Sequence, residues 1–217
     1  MKRLLITGFE PFGGESINPS WEAVRLLPDV INGYIIDKLL LPVVFTEAAE
    51  RVIETAEKIR PDVILCIGQA GGRAAITPEL VGINLRYARI PDNKGNEPKD
   101  EPITPGGQDA YFSTIPVRKI AEAIKASGIP SEVSYSAGAY VCNDVLYTLL
   151  SRFKGTDTRV GFIHIPYSFA SRDFGRFFHS GSKASYPAAP GCGAAYTGAA
   201  SLSEMPEERI LRRNKTG

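Results

Sequence analysis

Two residues in this chain combine a reactive side chain with a setting that would expose it: Cys142 and His164. Cys142 follows Ala137-Gly-Ala-Tyr-Val141, a small-residue turn after a strand, and it opens a helical pattern. A strand–turn–helix elbow presents a side chain at the carboxyl edge of a sheet, at the positive end of the helix dipole. An ordinary thiol ionises near ~8.5 and is mostly protonated at neutral pH; the elbow predicts a lowered value and a sulfur nucleophile. Backbone N–H groups at the same turn suit a developing oxyanion. The competing reading is a buried cysteine at a helix start. His164 interrupts the apolar run Gly161-Phe-Ile-His-Ile165, just ahead of Pro166. Open α/β sheets place ligand-handling groups at the carboxyl ends of strands, and a cysteine nucleophile needs a base. The competing reading is a satisfied core histidine.

Scarcity sharpens the choice. Of the other cysteines, Cys66 sits in the apolar run Val63-Ile-Leu-Cys-Ile67, where a free thiol acts as a small hydrophobe. Cys192 and the second histidine, His179, lie in a stretch without recognisable chemistry. An acid that would orient the imidazole is not selected by pattern: Glu79, Asp92, Asp100 and Asp144 all qualify by type. Asp144 is two residues beyond the cysteine on a helix and so points elsewhere, which leaves three.

The three widely spaced cysteines form no C-x-x-C pair and, being odd in number, no disulfide framework. With two histidines they build no convincing zinc site. Gly68-Gln-Ala-Gly-Gly72 does not match a dinucleotide fingerprint and no P-loop is present, so no cofactor is expected. The net charge of +1 carries no footprint for nucleic acid or a membrane surface. The opening apolar run stops at Gly8, too short for a signal peptide, and no stretch reaches the ~18–20 residues of a membrane span. A cytoplasmic protein is expected.

The elements that must position these groups follow from periodicity. Strands are predicted at residues 4–7, 34–41, 63–67, 133–136 and 160–165. Asn18-Pro19-Ser20 caps a helix carrying Trp21, Val24 and Leu27 and stopped by Pro28. Thr46 opens a second helix, with Ala49, Val52, Ile53, Ala56 and Ile59 on one face. Further helices are predicted at 115–127 and 140–153, and residues 86–107 are rich in Asp, Asn, Pro and Gly and read as a long loop. This βαβα alternation predicts a three-layer α/β/α sandwich around a mainly parallel, mixed sheet, a single catalytic domain over residues 1–167. Residues 168–217 differ in character, being rich in Ser, Gly, Ala and Arg with little periodicity.

Several segments resemble one family closely. They are Thr7-Gly-Phe-Glu-Pro-Phe-Gly-Gly14, Asn18-Pro-Ser20, Gly68-Gln-Ala-Gly-Gly-Arg73, Ile76-Thr-Pro-Glu79, Asn84, Ala88-Arg-Ile-Pro-Asp-Asn93, Ser136-Ala-Gly138, Val141-Cys-Asn143 and Gly161-Phe-Ile-His-Ile-Pro-Tyr167. In this order they resemble the pyroglutamyl peptidases, or pyrrolidone carboxyl peptidases. The resemblance implies removal of an N-terminal pyroglutamyl residue from peptides through a thioester acyl-enzyme, with no metal. It implies Glu79 as the catalytic acid beside Cys142 and His164. It also implies Phe9 and Phe12 around the lactam ring, Asn18 and the backbone at Val141 for its polar groups, and supporting roles for Gln69 and Arg89. Arg89 would polarise the reacting carbonyl or anchor its loop in a salt bridge. A homo-oligomer, often a tetramer, is implied as well.

Two departures stand out. Leu80 follows the acid where the family usually has a basic residue. After Tyr167 the family continues with a loop, a Ser-rich cap and a long apolar helix, and residues 168–217 match none of these. The expectation is a tail foreign to the family, as a reading-frame slip would produce, with a covering helix missing. The rival to an active peptidase is then a compromised protein that binds pyroglutamyl ends without turnover.

Overall fold

The computed structural model describes residues 1–166. Its elements run β1 (Lys2–Phe9), α1 (Pro19–Arg25), β2 (Val30–Ile31), β3 (Tyr34–Leu41), α2 (Glu47–Ile59) and β4 (Val63–Ala70). Then come β5 (Thr77–Pro78), β6 (Val81–Ile83), β7 (Ala110–Phe112), α3 (Val117–Ala126), α4 (Val141–Arg152) and β8 (Arg159–Pro166). One sheet has the order β2-β3-β1-β4-β8-β5. Its four central strands are parallel, and the short edge strands β2 and β5 run antiparallel to their neighbours.

Alternation along the strands sorts the core into two layers. Leu4 and Ile6, Val63, Leu65 and Ile67, and Ile163 and Ile165 pack with Ala23 and Val24 of α1 and Ile120 and Ile124 of α3. Leu5, Ile64, Cys66, Val160 and Phe162 face the other way, onto Ala49 and Val52 of α2 and Val145, Leu146 and Leu149 of α4. Each Val, Leu, Ile or Phe among them contributes ~1.5–3 kcal/mol when fully buried. A one-residue slip would exchange the two faces, so this pattern pins the register. The result is the three-layer α/β/α sandwich with a mixed, mainly parallel sheet that the alternation predicts.

Some elements differ from expectation. Residues 133–136 form no strand; Ser131 and Ser134 make only isolated bridges, to Ile76 and Glu79. Short β2, β5 and β6–β7 carry too few residues for periodicity to reveal them. Helix α1 ends at Arg25, before Leu27, although Leu27 is still buried. Thr46 precedes α2 without a side-chain cap, its hydroxyl instead accepting from Arg86 Nη2 at 2.9 Å. Cys192, His179 and the whole of residues 168–217 lie outside the described residues.

Candidate active site

The carboxyl ends of β1, β4 and β8 meet the amino end of α4 around a cavity of about 440 Å³. Cys142 and His164 both line it, as do Phe9, Phe12, Asn18, Gln69, Arg89 and Val141. Eight of the nine sequence-derived candidates thus line one cavity. The ninth, Glu79, stands directly behind His164.

Glu79 gets there through the sheet. Strand β5 pairs antiparallel with β8, setting Thr77 opposite His164, and Glu79 N then donates to Phe162 O at 2.9 Å. From this position Glu79 Oε1 accepts from His164 Nδ1 at 2.7 Å, both side chains being buried. With Nδ1–H facing the carboxylate, the neutral imidazole keeps its acceptor lone pair on Nε2. Burial opposes the charge on Glu79, but the His164 hydrogen bond and charge, aided by Ser134 and Arg73, hold its carboxyl below the ordinary range.

The other candidate acids are occupied elsewhere. Asp92 is buried and accepts from the amides of Phe45, Lys94 and Asn96, closing its own loop. Asp144 points away from the cavity, as expected, and binds Arg86 Nε at 2.5 Å and Thr46 N at 2.8 Å. Asp100 is exposed.

Cys142 is the second residue of α4. The chain turns into the helix through Gly138, whose φ of 78° favours glycine. The first helical bonds are donated by Asn143 and Asp144 to Tyr140 O at 3.0 and 3.1 Å, leaving the Val141 and Cys142 amides outside the ladder. Asn143 locks this turn: Oδ1 accepts from Ile83 N, and Nδ2 donates to the carbonyls of Ile83 and Leu85. The expected lowering of the thiol is not what the surroundings produce. Desolvation, then the charges of Glu79 and Cys66, push Cys142 up to about 12, with Arg73 acting the other way. This direction is opposite to the one that the helix start predicts.

The remaining wall has one apolar side and one polar side. Phe9 is buried against Phe162, with ring centres 6.2 Å apart, and Phe12 leans on Tyr140 at 6.4 Å. Asn18 is the α1 cap: Oδ1 accepts from Ser20 N and Oγ, and Nδ2 donates to Glu10 O, leaving one N–H uncommitted among the described residues. Gln69 Oε1 is buried without a hydrogen-bond partner among the described residues. Arg89 is exposed and makes no ion pair among the described residues. Cys66 is fully buried in β4, its thiol also pushed up to about 12 by burial. Among the described residues, no cluster of His, Cys, Asp and Glu could hold a metal, and no helix is long and apolar enough to cross a membrane.

The family model for pyroglutamyl peptidase matches residues 2–171. The chain belongs to the pyroglutamyl peptidase family. A pyrrolidone-carboxylate peptidase of Staphylococcus saprophyticus is 52% identical over 167 residues, 76% of this chain and 78% of the relative. One of Thermococcus onnurineus is 50% identical, covering 76% and 84%. Among solved structures, the pyroglutamyl peptidase I of Bacillus amyloliquefaciens superposes with a TM-score of 0.74 at 50% identity, over 76% of this chain and 80% of that one.

Pattern reading passed over two residues of this pyroglutamyl peptidase site, Asn143 and Arg73. Asn143 follows the cysteine directly, and a buried amide there signals a helix start tied to another segment. Arg73 is the only basic residue between Pro61 and Leu85, six positions before the acid.

Proposed function

We propose that this chain is a cysteine-type omega peptidase that removes an N-terminal pyroglutamyl residue from peptides through a Cys142/His164/Glu79 triad. The observation that carries this reading is the 2.7 Å bond from His164 Nδ1 to Glu79 Oε1 behind a cavity that Cys142 shares. His164 Nε2 takes the S–H proton as the sulfur attacks the exocyclic carbonyl of pyroglutamate. Glu79 holds the imidazole tautomer and stabilises the imidazolium. The amides of Val141 and Cys142, free of the helix ladder, face the developing oxyanion. Collapse breaks the C–N bond, and the imidazolium returns its proton to the leaving amine. The thioester is then hydrolysed by water that His164 deprotonates, releasing pyroglutamate and the thiol.

Substrate selection follows from the cavity wall. The flat lactam ring lies between Phe9 and Phe12. Its N–H and C=O find Gln69 Oε1, the spare Asn18 N–H and the backbone at Val141, while exposed Arg89 faces the leaving side and the reacting carbonyl. No cofactor takes part in this reading. A cytoplasmic homo-oligomer, a tetramer by family resemblance, belongs to the same proposal, and light scattering on the purified chain tests it.

The deciding experiment is release of a fluorescent amine from a pyroglutamyl amide by the full-length protein, beside Cys142→Ser. Turnover that vanishes in the variant supports the peptidase. Binding of pyroglutamyl peptides without turnover would instead establish the rival reading.

A further inference from the structure

Arg73 belongs to none of the roles assigned so far, yet it touches three parts of the site. Its Nη1 donates to Glu79 Oε1 at 2.7 Å, the same oxygen that holds His164 Nδ1. Nη1 also meets Thr77 Oγ1 at 2.5 Å, on the strand residue opposite His164. Its Nη2 donates to Ser136 O at 3.1 Å, in the turn that leads to Cys142. The guanidinium therefore links the acid, the edge strand beside the base and the nucleophile's turn. Its side chain is 31% exposed while Glu79 is fully buried, and it lines the cavity.

We propose that Arg73 is a positioning residue of the hydrolytic site, whose fork orients the Glu79 carboxylate and whose fixed charge limits how strongly that carboxylate attracts a proton onto His164. The inference rests on the proposed peptidase reading. A carboxylate shared between imidazole and guanidinium is a weaker proton-attracting partner than one facing imidazole alone. The guanidinium also repels the imidazolium directly. Among the described residues, the other titratable or charged groups facing this pocket are Cys142 from α4, Tyr140 at its cap, Cys66 from β4 behind it and Arg89 at the rim.

Arg73→Gln removes the charge, and Arg73→Lys keeps it but loses the fork. In Arg73→Gln the acid limb of kcat/KM moves to higher pH by roughly half a unit to one unit, discounted for the exposed guanidinium. Its kcat falls roughly 10- to 100-fold while KM stays near the wild-type value. In Arg73→Lys the limb stays in place and kcat alone falls. An NMR titration of the His164 imidazole in the unliganded protein gives a readout independent of turnover, and its midpoint rises in Arg73→Gln. A wild type without turnover would overturn the peptidase reading while leaving this titration informative. A folded Arg73→Gln with an unmoved His164 midpoint and an unmoved limb overturns the role of Arg73. If that variant does not fold, Arg73→Lys decides: lowered kcat with an unmoved limb supports the role, and wild-type kcat overturns it.

Discussion

Gly68 lies directly beside His164 in the β4–β8 ladder, and its missing side chain is the space into which the Cys142 sulfur projects. A Cβ at residue 68 would stand 2.7 Å from two ring carbons of Phe162 and 3.0 Å from Cys142 Sγ. Gly68→Ala must therefore move the nucleophile or the ring behind it. A displacement approaching 1 Å costs ~10²-fold in rate, and overpacking costs ~1–3 kcal/mol in stability. Steady-state kinetics and urea unfolding of the variant check both numbers. Wild-type kcat in Gly68→Ala would show that the sulfur does not depend on this gap.

Glu79→Gln tests the acid without changing its volume. Gln cannot stabilise the imidazolium and can present the wrong group to Nδ1, so kcat falls by ~10³–10⁴ while the protein still folds. There is a stability consequence too. The folded carboxyl is held below its ordinary range, so its contribution is complete above that range and is lost as pH falls through it. Thermal unfolding followed below pH ~4.5 should steepen in the wild type and flatten in Glu79→Gln.

The raised thiol predicts an alkaline signature. Cys142 and Cys66 keep their protons up to about 12, while in the unfolded chain they lose them from about 9, so the unfolded state binds fewer protons in between. Stability therefore declines as pH rises through that window. Alkylation of Cys142 by iodoacetamide in the free protein should keep accelerating past pH 9, with Cys66 protected by burial. A plateau near pH 6–7 would mean a preformed thiolate–imidazolium pair, contrary to a thiol raised by burial.

Asp144→Ala addresses the frame of the nucleophile. Asp144 is fully buried against Arg86, whose side chain is 19% exposed. Removing the carboxylate strands a partly buried guanidinium and frees the Thr46 amide, at a cost of ~3–5 kcal/mol. Urea midpoints of Asp144→Ala and Asp144→Asn separate the charge from the hydrogen bond, the asparagine retaining more stability.

Selectivity gives the last test. Proline shares the ring but lacks the lactam carbonyl, so polar groups at Asn18, Gln69 and Val141 would lose a partner. Prolyl amides should be worse substrates by up to ~10⁴–10⁵ in kcat/KM. A ratio near ten would place recognition in the Phe9 and Phe12 contacts alone.

The core strands were readable because Val63-Ile-Leu-Cys-Ile67 and its counterparts are apolar on both faces, which only a covered parallel strand requires. Cys142 and His164 stood out as reactive side chains at element ends. Glu79 did not, because its meeting with His164 depends on a two-residue strand, β5, that no periodicity marks. The raised thiol is hidden for a related reason. Helix-start position is visible in a linear pattern, whereas desolvation by residues drawn from distant segments is not. Arg73 stayed hidden because its partners sit on an unmarked two-residue strand, at Thr77 and Glu79 nearby, and on a turn 63 positions away, at Ser136.

The placement of β8 also makes the site a clock. This strand enters between β4 and β5, and its bond to the acid spans 85 positions of chain. Before it slots in, acid and sulfur stand on separate pieces, with no imidazole between them and an open flank on β4. Distant closures of this kind belong to the slow part of folding. The first appearance of hydrolysis during refolding should then report the moment the sheet closes, later than the gain of helical signal.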